Sequence, residues 1–270
     1  MGTTSGVAPD KNAMYDTATS AIWQLAVYEP VHKGREFTNV AGVELLDHVA
    51  GKARLGPADE VLELCSGAGA VARYLNGSYG CAVTGVEINE FQLAHARERG
   101  GERLRFLHGD AQTWQPDRAY DLALAVDSLS LLADPLAALR TARQAVRPGG
   151  LVAIADTVAG PELVPRVRDR AFELDGLRPL PGRSATVSML HAAGFDDVHL
   201  VDLTDLAVDC FARISLALRD RFREISAVTT SAELDDWNRS TAFYLQNFRT
   251  RQLTYWRGTA RRPLHQGSFK

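Results

Sequence analysis

Cysteine and lysine are both scarce in this chain. The three cysteines, Cys65, Cys81 and Cys210, are too few and too scattered for a disulfide framework or a zinc site, so a reducing, cytoplasmic setting without a metal centre is expected. No apolar run approaches the roughly 20 residues that a membrane span needs, and the first residues hold no apolar signal core, so no membrane association is expected. There is no excess of positive charge either. Lys and Arg total 30 against 33 Asp and Glu, a formal net charge of -3, which gives no electrostatic reason to expect nucleic acid as a partner. Lysine occurs only at positions 11, 33, 52 and 270, and the resulting arginine bias reads as genome composition rather than function. What remains is an ordinary globular composition, 46% hydrophobic and 23% charged over 270 residues, enough chain to bury one large core.

The most informative segment runs from Val61 to Gly69. Val61-Leu62-Glu63-Leu64 reads as a buried strand, Cys65-Ser66-Gly67-Ala68-Gly69 as a turn, and Ala70 to Asn76 as a helix whose first free N–H groups point back at the turn. That is the layout of a nucleotide-type cofactor site. Gly67-Ala68-Gly69-Ala70-Val71-Ala72 also satisfies the G-x-G-x-x-A dinucleotide pattern, so NAD competes for it. Glu63 separates the two. A pyrophosphate beside this acid would be repelled by several kcal/mol at an effective dielectric of about 20, whereas an ammonium would be attracted. S-adenosylmethionine, with an amino-acid end and no phosphate, suits the turn better. The alternative is an acid that merely faces solvent at a strand end.

Residues 1–13 are small and polar. Helices are expected over 14–28 and 39–49, and strands over 60–64, 82–87, 104–108, 122–126, 151–156 and 198–203, with helices over 70–76, 89–99, 136–146 and 185–193 between them. Arg147-Pro148-Gly149-Gly150 is expected to end a helix and turn tightly into the next strand. Helical stretches over 206–225 and 232–248 then precede a last strand from Gln252 to Ala260. Apolar runs such as Leu122-Ala123-Leu124-Ala125-Val126 suit a parallel sheet covered on both faces. The expected fold is therefore α/β: a doubly wound, mostly parallel, seven-stranded Rossmann-like sheet with an antiparallel last strand. An N-terminal tail and lid helix would occupy 1–35, and the sheet domain 36–270 with a helical cap inserted at about 204–248.

Strand ends carry the remaining candidates, because ligands in open α/β sheets bind outside the carboxyl ends of the strands. Glu87, followed by Ile88, lies 18 residues beyond Gly69, where a carboxylate can accept both ribose hydroxyls; a solvent-facing terminus is the alternative. Asp110, followed by Ala111, could accept an adenine amine with Trp114 or other apolar groups over the ring, or could simply cap a helix. Asp127 and Ser128 close the fourth strand at the same cleft.

Taken together, Glu63 to Gly69, Glu87, Gly109-Asp110-Ala111, Tyr120-Asp121-Leu122 through Asp127-Ser128, and Arg147-Pro148-Gly149-Gly150 resemble the class I S-adenosylmethionine-dependent methyltransferases. The last motif and Asp156 look like the branch that modifies small molecules such as quinones, sarcosine and natural products. The resemblance covers about residues 36–203. It implies that Glu63, Cys65, Gly67 and Gly69 hold the methionine end, Glu87 and Ile88 the ribose side, Asp110 and Ala111 the adenine, and Asp127 and Ser128 the edge of the cleft. It also implies that Tyr15 and the segment Tyr28 to Gly34 fold over the cofactor as a lid. Two departures stand out. Cys65 occupies a position usually held by glycine, and Ser128-Leu129-Ser130 replaces the histidines that many relatives carry after the fourth strand.

Methyl transfer from a sulfonium is an in-line displacement, so alignment and exclusion of water dominate, and a base matters only where the nucleophile must lose a proton. Asp127 and His32 are the catalytic candidates, with Tyr28, Asp156 and His191 further possibilities. The expected acceptor is a small, hydrophobic or aromatic secondary metabolite modified on O, N or C, met by Phe211, Trp237, Phe243, Tyr244 and Phe248 unless these are plain core. The competing expectations are a protein of the same fold catalysing a rearrangement without methyl transfer, and an NAD-dependent oxidoreductase. A homodimer is compatible with this reading.

Overall fold

A computed structural model describes residues 21–264. Seven strands form one sheet: β1 (Glu60–Leu64), β2 (Ala82–Glu87), β3 (Leu104–His108), β4 (Tyr120–Val126), β5 (Val146–Ala159), β6 (Asp196–Asp202) and β7 (Leu253–Arg261). Their order is β3-β2-β1-β4-β5-β7-β6, with β7 antiparallel to both neighbours and the others running together. The expected doubly wound sheet with an antiparallel last strand is borne out.

Strand alternation divides the core in two. Val61, Leu122, Leu124, Leu151 and Ala153 face one layer, packing under α2 (Gly42–Ala53) and α3 (Ala70–Tyr79). Leu62, Leu64, Ala123, Val152 and Ile154 face the other, against α5 (Pro135–Ala145) and α7 (Arg183–Ala192). Both faces are covered, so the strands tolerate continuous apolar runs. The remaining crossover helix, α4 (Glu90–Glu98), starts where the Asn89 side chain accepts the Gln92 N–H at 2.9 Å.

A third apolar cluster lies over the carboxyl ends of the strands. The N-terminal helix α1 is made of three successive segments, Ala21–Trp23, π-helical Gln24–Tyr28 and Glu29–His32. It packs Ile22, Val27 and Tyr28 against Cys210, Ile214, Ile225 and Leu234 of α8 (Thr204–Asp220), α9 (Phe222–Ser226) and α10 (Ser231–Arg249). Helix α10 opens with a capping box legible in sequence as Thr230-x-x-Glu233.

Two expectations need correction. Arg147 to Gly150 do not make a tight turn before the strand: β5 already begins at Val146, and these four residues bulge out between the pairs Tyr120–Val146 and Leu122–Leu151. Gly149 and Gly150 instead pair with Arg262 beyond β7, which keeps the bulge in the sheet. Helix α6 (Pro165–Asp175) was not expected at all, because its sequence is rich in Arg, Asp and Glu and buries only Val167 and Ala171.

Candidate active site

A cavity of about 1050 Å³ opens at the carboxyl ends of β1, β2, β4 and β5, roofed by α1, α6, α8 and α10. Glu63, Cys65, Gly67, Glu87, Ile88, Asp110, Ala111, Asp127 and Ser128 all line it, which brings nearly all the sequence candidates together.

Glu63 is 5% exposed, and its Oε2 has no hydrogen-bond partner among the described residues. Burial, and next the charge of Glu87, push its carboxyl up to about 8. Such an acid fits an incoming ammonium, which would both pair the charge and restore its ionised form. Glu87 holds the turn together: its Oε2 accepts the Gly67 N–H and its Oε1 the Asn89 N–H, each at 2.8 Å. Burial raises this carboxyl too. Ile88, at the lip, leaves 58% of its surface exposed, an apolar face suited to a purine ring.

The turn is built from left-handed residues: Cys65 at φ 58°, Gly67 at 52° and Gly69 at 77°. Cys65 thus adopts a conformation that favours glycine, and burial pushes its thiol up to about 12. The two glycines differ in what surrounds them. A Cβ on Gly67 would meet nothing nearer than Gln92 Oε1 at 3.7 Å, whereas one on Gly69 would strike Phe106 Cζ at 2.6 Å. Gly69 is a packing requirement, and the lining beside it is formed by its neighbours Ala68 and Ala70.

Asp110 accepts the Gln112 N–H at 2.9 Å and the Gln112 side-chain amide at 3.0 Å, so it holds its turn while lining the cavity. Trp114 packs against Gly109 and is not in the lining, which holds the apolar Ile88, Ala111, Leu131 and Leu132.

At the end of β4 two carboxylates meet. Asp127, at φ 48°, accepts the Val40 N–H at 2.7 Å and the Tyr255 hydroxyl at 3.0 Å, both on Oδ2. Asp156 accepts the N–H groups of Ser128, Ser130 and Thr157. Burial raises both carboxyls, and each disfavours ionisation of the other, so the site holds a proton that isolated acids would lose.

His32 lies elsewhere. Its ring stands edge-on to Phe37, abuts Gly42 at the start of α2, and does not line the cavity; burial lowers it to about 4, so it is neutral. His191 bonds the Phe195 carbonyl on the far side of the sheet. Tyr15 lies outside the described residues. Tyr255 carried no signal beyond its place in a strand, and neither it nor the cavity-lining Asp175 of α6 was singled out.

The family whose description is "Methyltransferase domain" matches residues 35–200. The chain belongs to this methyltransferase family. That membership decides against the NAD reading. Among curated relatives, phosphoethanolamine N-methyltransferase 1 of Arabidopsis thaliana is 28% identical over 66% of this chain and 37% of its own. The O-methyltransferase rstn1 of Aspergillus nomiae is 26% identical over 73% of this chain and 94% of its own. This chain spans less than half the length of the plant enzyme. Among solved structures, the [4+2]-cyclase SpnF superposes with a TM-score of 0.75 at 23% identity, covering 96% of this chain and 98% of that one.

The methyltransferase domain fits S-adenosylmethionine, the cofactor of its class. The orphaned Glu63 oxygen answers an ammonium, the open face of Gly67 leaves room for a ligand, and the cation at the turn, Arg73, is already held by the Ala68 carbonyl at 2.7 Å and Glu36 at 3.1 Å. Among the described residues no cluster of His, Cys, Asp or Glu is arranged for a metal, and no helix is long and apolar enough to cross a membrane.

Proposed function

We propose that the methyltransferase domain moves the methyl group of S-adenosylmethionine to a hydroxyl on a small, largely apolar metabolite. In this reading Glu63 and Gly67 hold the methionine end, Glu87 the ribose, and Ile88, Asp110 and Ala111 the adenine. The acceptor occupies the chamber lined by Trp23, Phe211, Trp237, Tyr244 and Phe248, whose rings pack against one another from 5.0 to 6.3 Å. Such rings suit an apolar or aromatic molecule.

The observation that carries the reading is Asp127. Its carboxylate is recessed at the strand end between the cofactor turn and the helices of the chamber, and it is more basic than an exposed acid. A hydroxyl must lose its proton as the sulfonium methyl is displaced, and a raised carboxylate can take it. Mass spectrometry of hydroxylated acceptors incubated with enzyme and S-adenosylmethionine tests this: one CH3 replaces one H on oxygen. Failure of Asp127→Asn to slow that conversion removes Asp127 from the role.

A second reading, rearrangement of a bound metabolite without methyl transfer, is favoured by the near full-length likeness to SpnF. The same incubation separates them, since such a product keeps the acceptor's mass.

A further inference from the structure

The cavity wall is acidic. Nine carboxylates line it against three arginines, and each arginine is already paired: Arg99 with Glu36, Arg170 with Glu173 at 3.1 Å, and Arg239 with Asp236. Six carboxylates remain, those of Glu63, Glu87, Asp110, Asp127, Asp156 and Asp175, and none has a basic side chain within 4.0 Å among the described residues. The raised carboxyls of Glu63 and Asp127 are largely protonated near neutral pH, so the wall is not a row of full negative charges; what it lacks is a cation free to meet an anion.

Five of the six sit at the ends of the parallel strands, where the cofactor and the proton transfer account for them. Asp175 does not. It ends α6, facing α10, where Ser240 Oγ donates to its Oδ2 at 3.2 Å and the Tyr244 hydroxyl also bonds it. Neither neighbour supplies charge. Burial pushes this carboxyl up, and the one cation whose field lowers it, Arg170 of the same helix, is not within ion-pair distance and is paired with Glu173.

Resting on the reading that the chamber holds an acceptor, we propose that this acceptor carries a protonated amine that pairs with Asp175, apart from the hydroxyl that is methylated. The amine supplies a cation in direct contact with Asp175, which its hydroxyl neighbours do not, and the Tyr244 ring beside Asp175 offers it an aromatic face. An anionic acceptor finds no free cation in this wall, since its three arginines are paired, so phosphorylated molecules of the kind named for the Arabidopsis relative are poorly matched to it.

Calorimetry on the full chain saturated with S-adenosylhomocysteine tests this, with three probes of one shape: tryptamine, tryptophol and indoleacetate. Tryptamine is expected to bind at least about tenfold more tightly than tryptophol, the scale of one charge-assisted hydrogen bond, with indoleacetate undetected. Asp175→Asn should bring tryptamine down to the tryptophol level, and Asp175→Glu should restore the difference, both with unchanged affinity for S-adenosylhomocysteine. Equal binding of amine and alcohol, binding of the acid, a preference that survives Asp175→Asn, or no binding of any probe overturns the proposal. The wild-type ranking alone decides if the variant does not fold. Absence of S-adenosylhomocysteine binding by the wild type takes down the methyltransferase reading itself, a result distinct from the other four.

Discussion

The Tyr255 hydroxyl donates to Asp127 Oδ2 across 3.0 Å, joining the last strand of the sheet to the end of the fourth over 128 positions of sequence. Tyr255 is fully buried, and burial together with the neighbouring acids holds its phenol well above the ordinary tyrosine range, so it keeps its proton and acts as donor. With the Val40 N–H on the same oxygen, it orients the carboxylate and stabilises its charge.

Tyr255→Phe should therefore raise the Asp127 carboxyl further. Because the ionised carboxylate is the proton acceptor, turnover falls as pH drops through its pKa, and in the variant that fall should begin at higher pH. Stability should decline by about 1 to 3 kcal/mol through the lost buried hydrogen bond. An acid limb that stays in place while stability drops would leave Tyr255 a purely structural residue.

Glu63 links pH to folding. Its carboxyl, raised to about 8 in the fold, binds its proton more tightly there than in the unfolded chain. That contribution to stability is complete below the ordinary carboxylate range and is lost as pH rises through about 8. In Glu63→Gln the ligand-free protein should lose less stability over this window than wild type, and its affinity for S-adenosylmethionine should collapse. Urea melts across the window, with calorimetry for the ligand, read both; parallel slopes for the two proteins would contradict the assignment.

The two glycines of the turn should respond differently. Gly69→Ala drives a methyl into Phe106 at 2.6 Å and should cost at least about 1 to 3 kcal/mol of stability. Gly67→Ala meets only the strain of a left-handed residue, about 1 to 2 kcal/mol, and keeps the fold. Gly67→Val should fold too, while blocking the ligand. Thermal melts and ligand titrations of the three variants distinguish packing from binding, and equal losses of stability would refute the distinction.

Glu87→Ala should weaken S-adenosylmethionine by about 1 to 3 kcal/mol through lost charge-assisted hydrogen bonds. It should also loosen the turn, since Gly67 and Asn89 lose their acceptor. An unchanged dissociation constant would move the ribose away from this residue.

Much of the fold was legible before any coordinates. The strands at Glu60–Leu64, Ala82–Glu87 and Leu104–His108 coincide with their expected spans, because short apolar runs bounded by acids and glycines carry their own limits. Helix α6 was not legible: eleven residues with only two buried show no apolar stripe, and the helix is held at the cavity by what surrounds it. Gly69 looked like a ligand contact because its left-handed backbone is visible in sequence, while the Phe106 ring that demands it is 37 positions away.

Residues near one another in sequence thus determined where the strands lie, the cofactor turn and the acid that fits an ammonium, since periodicity, caps and turn chemistry act over a few positions. Only the tertiary structure decided that Tyr255 meets Asp127, that His32 packs away from the cavity, and that Asp175 lines it with hydroxyls as its hydrogen-bond partners. Burial and charge pairing depend on which distant segments are brought together, and no local pattern carries that information.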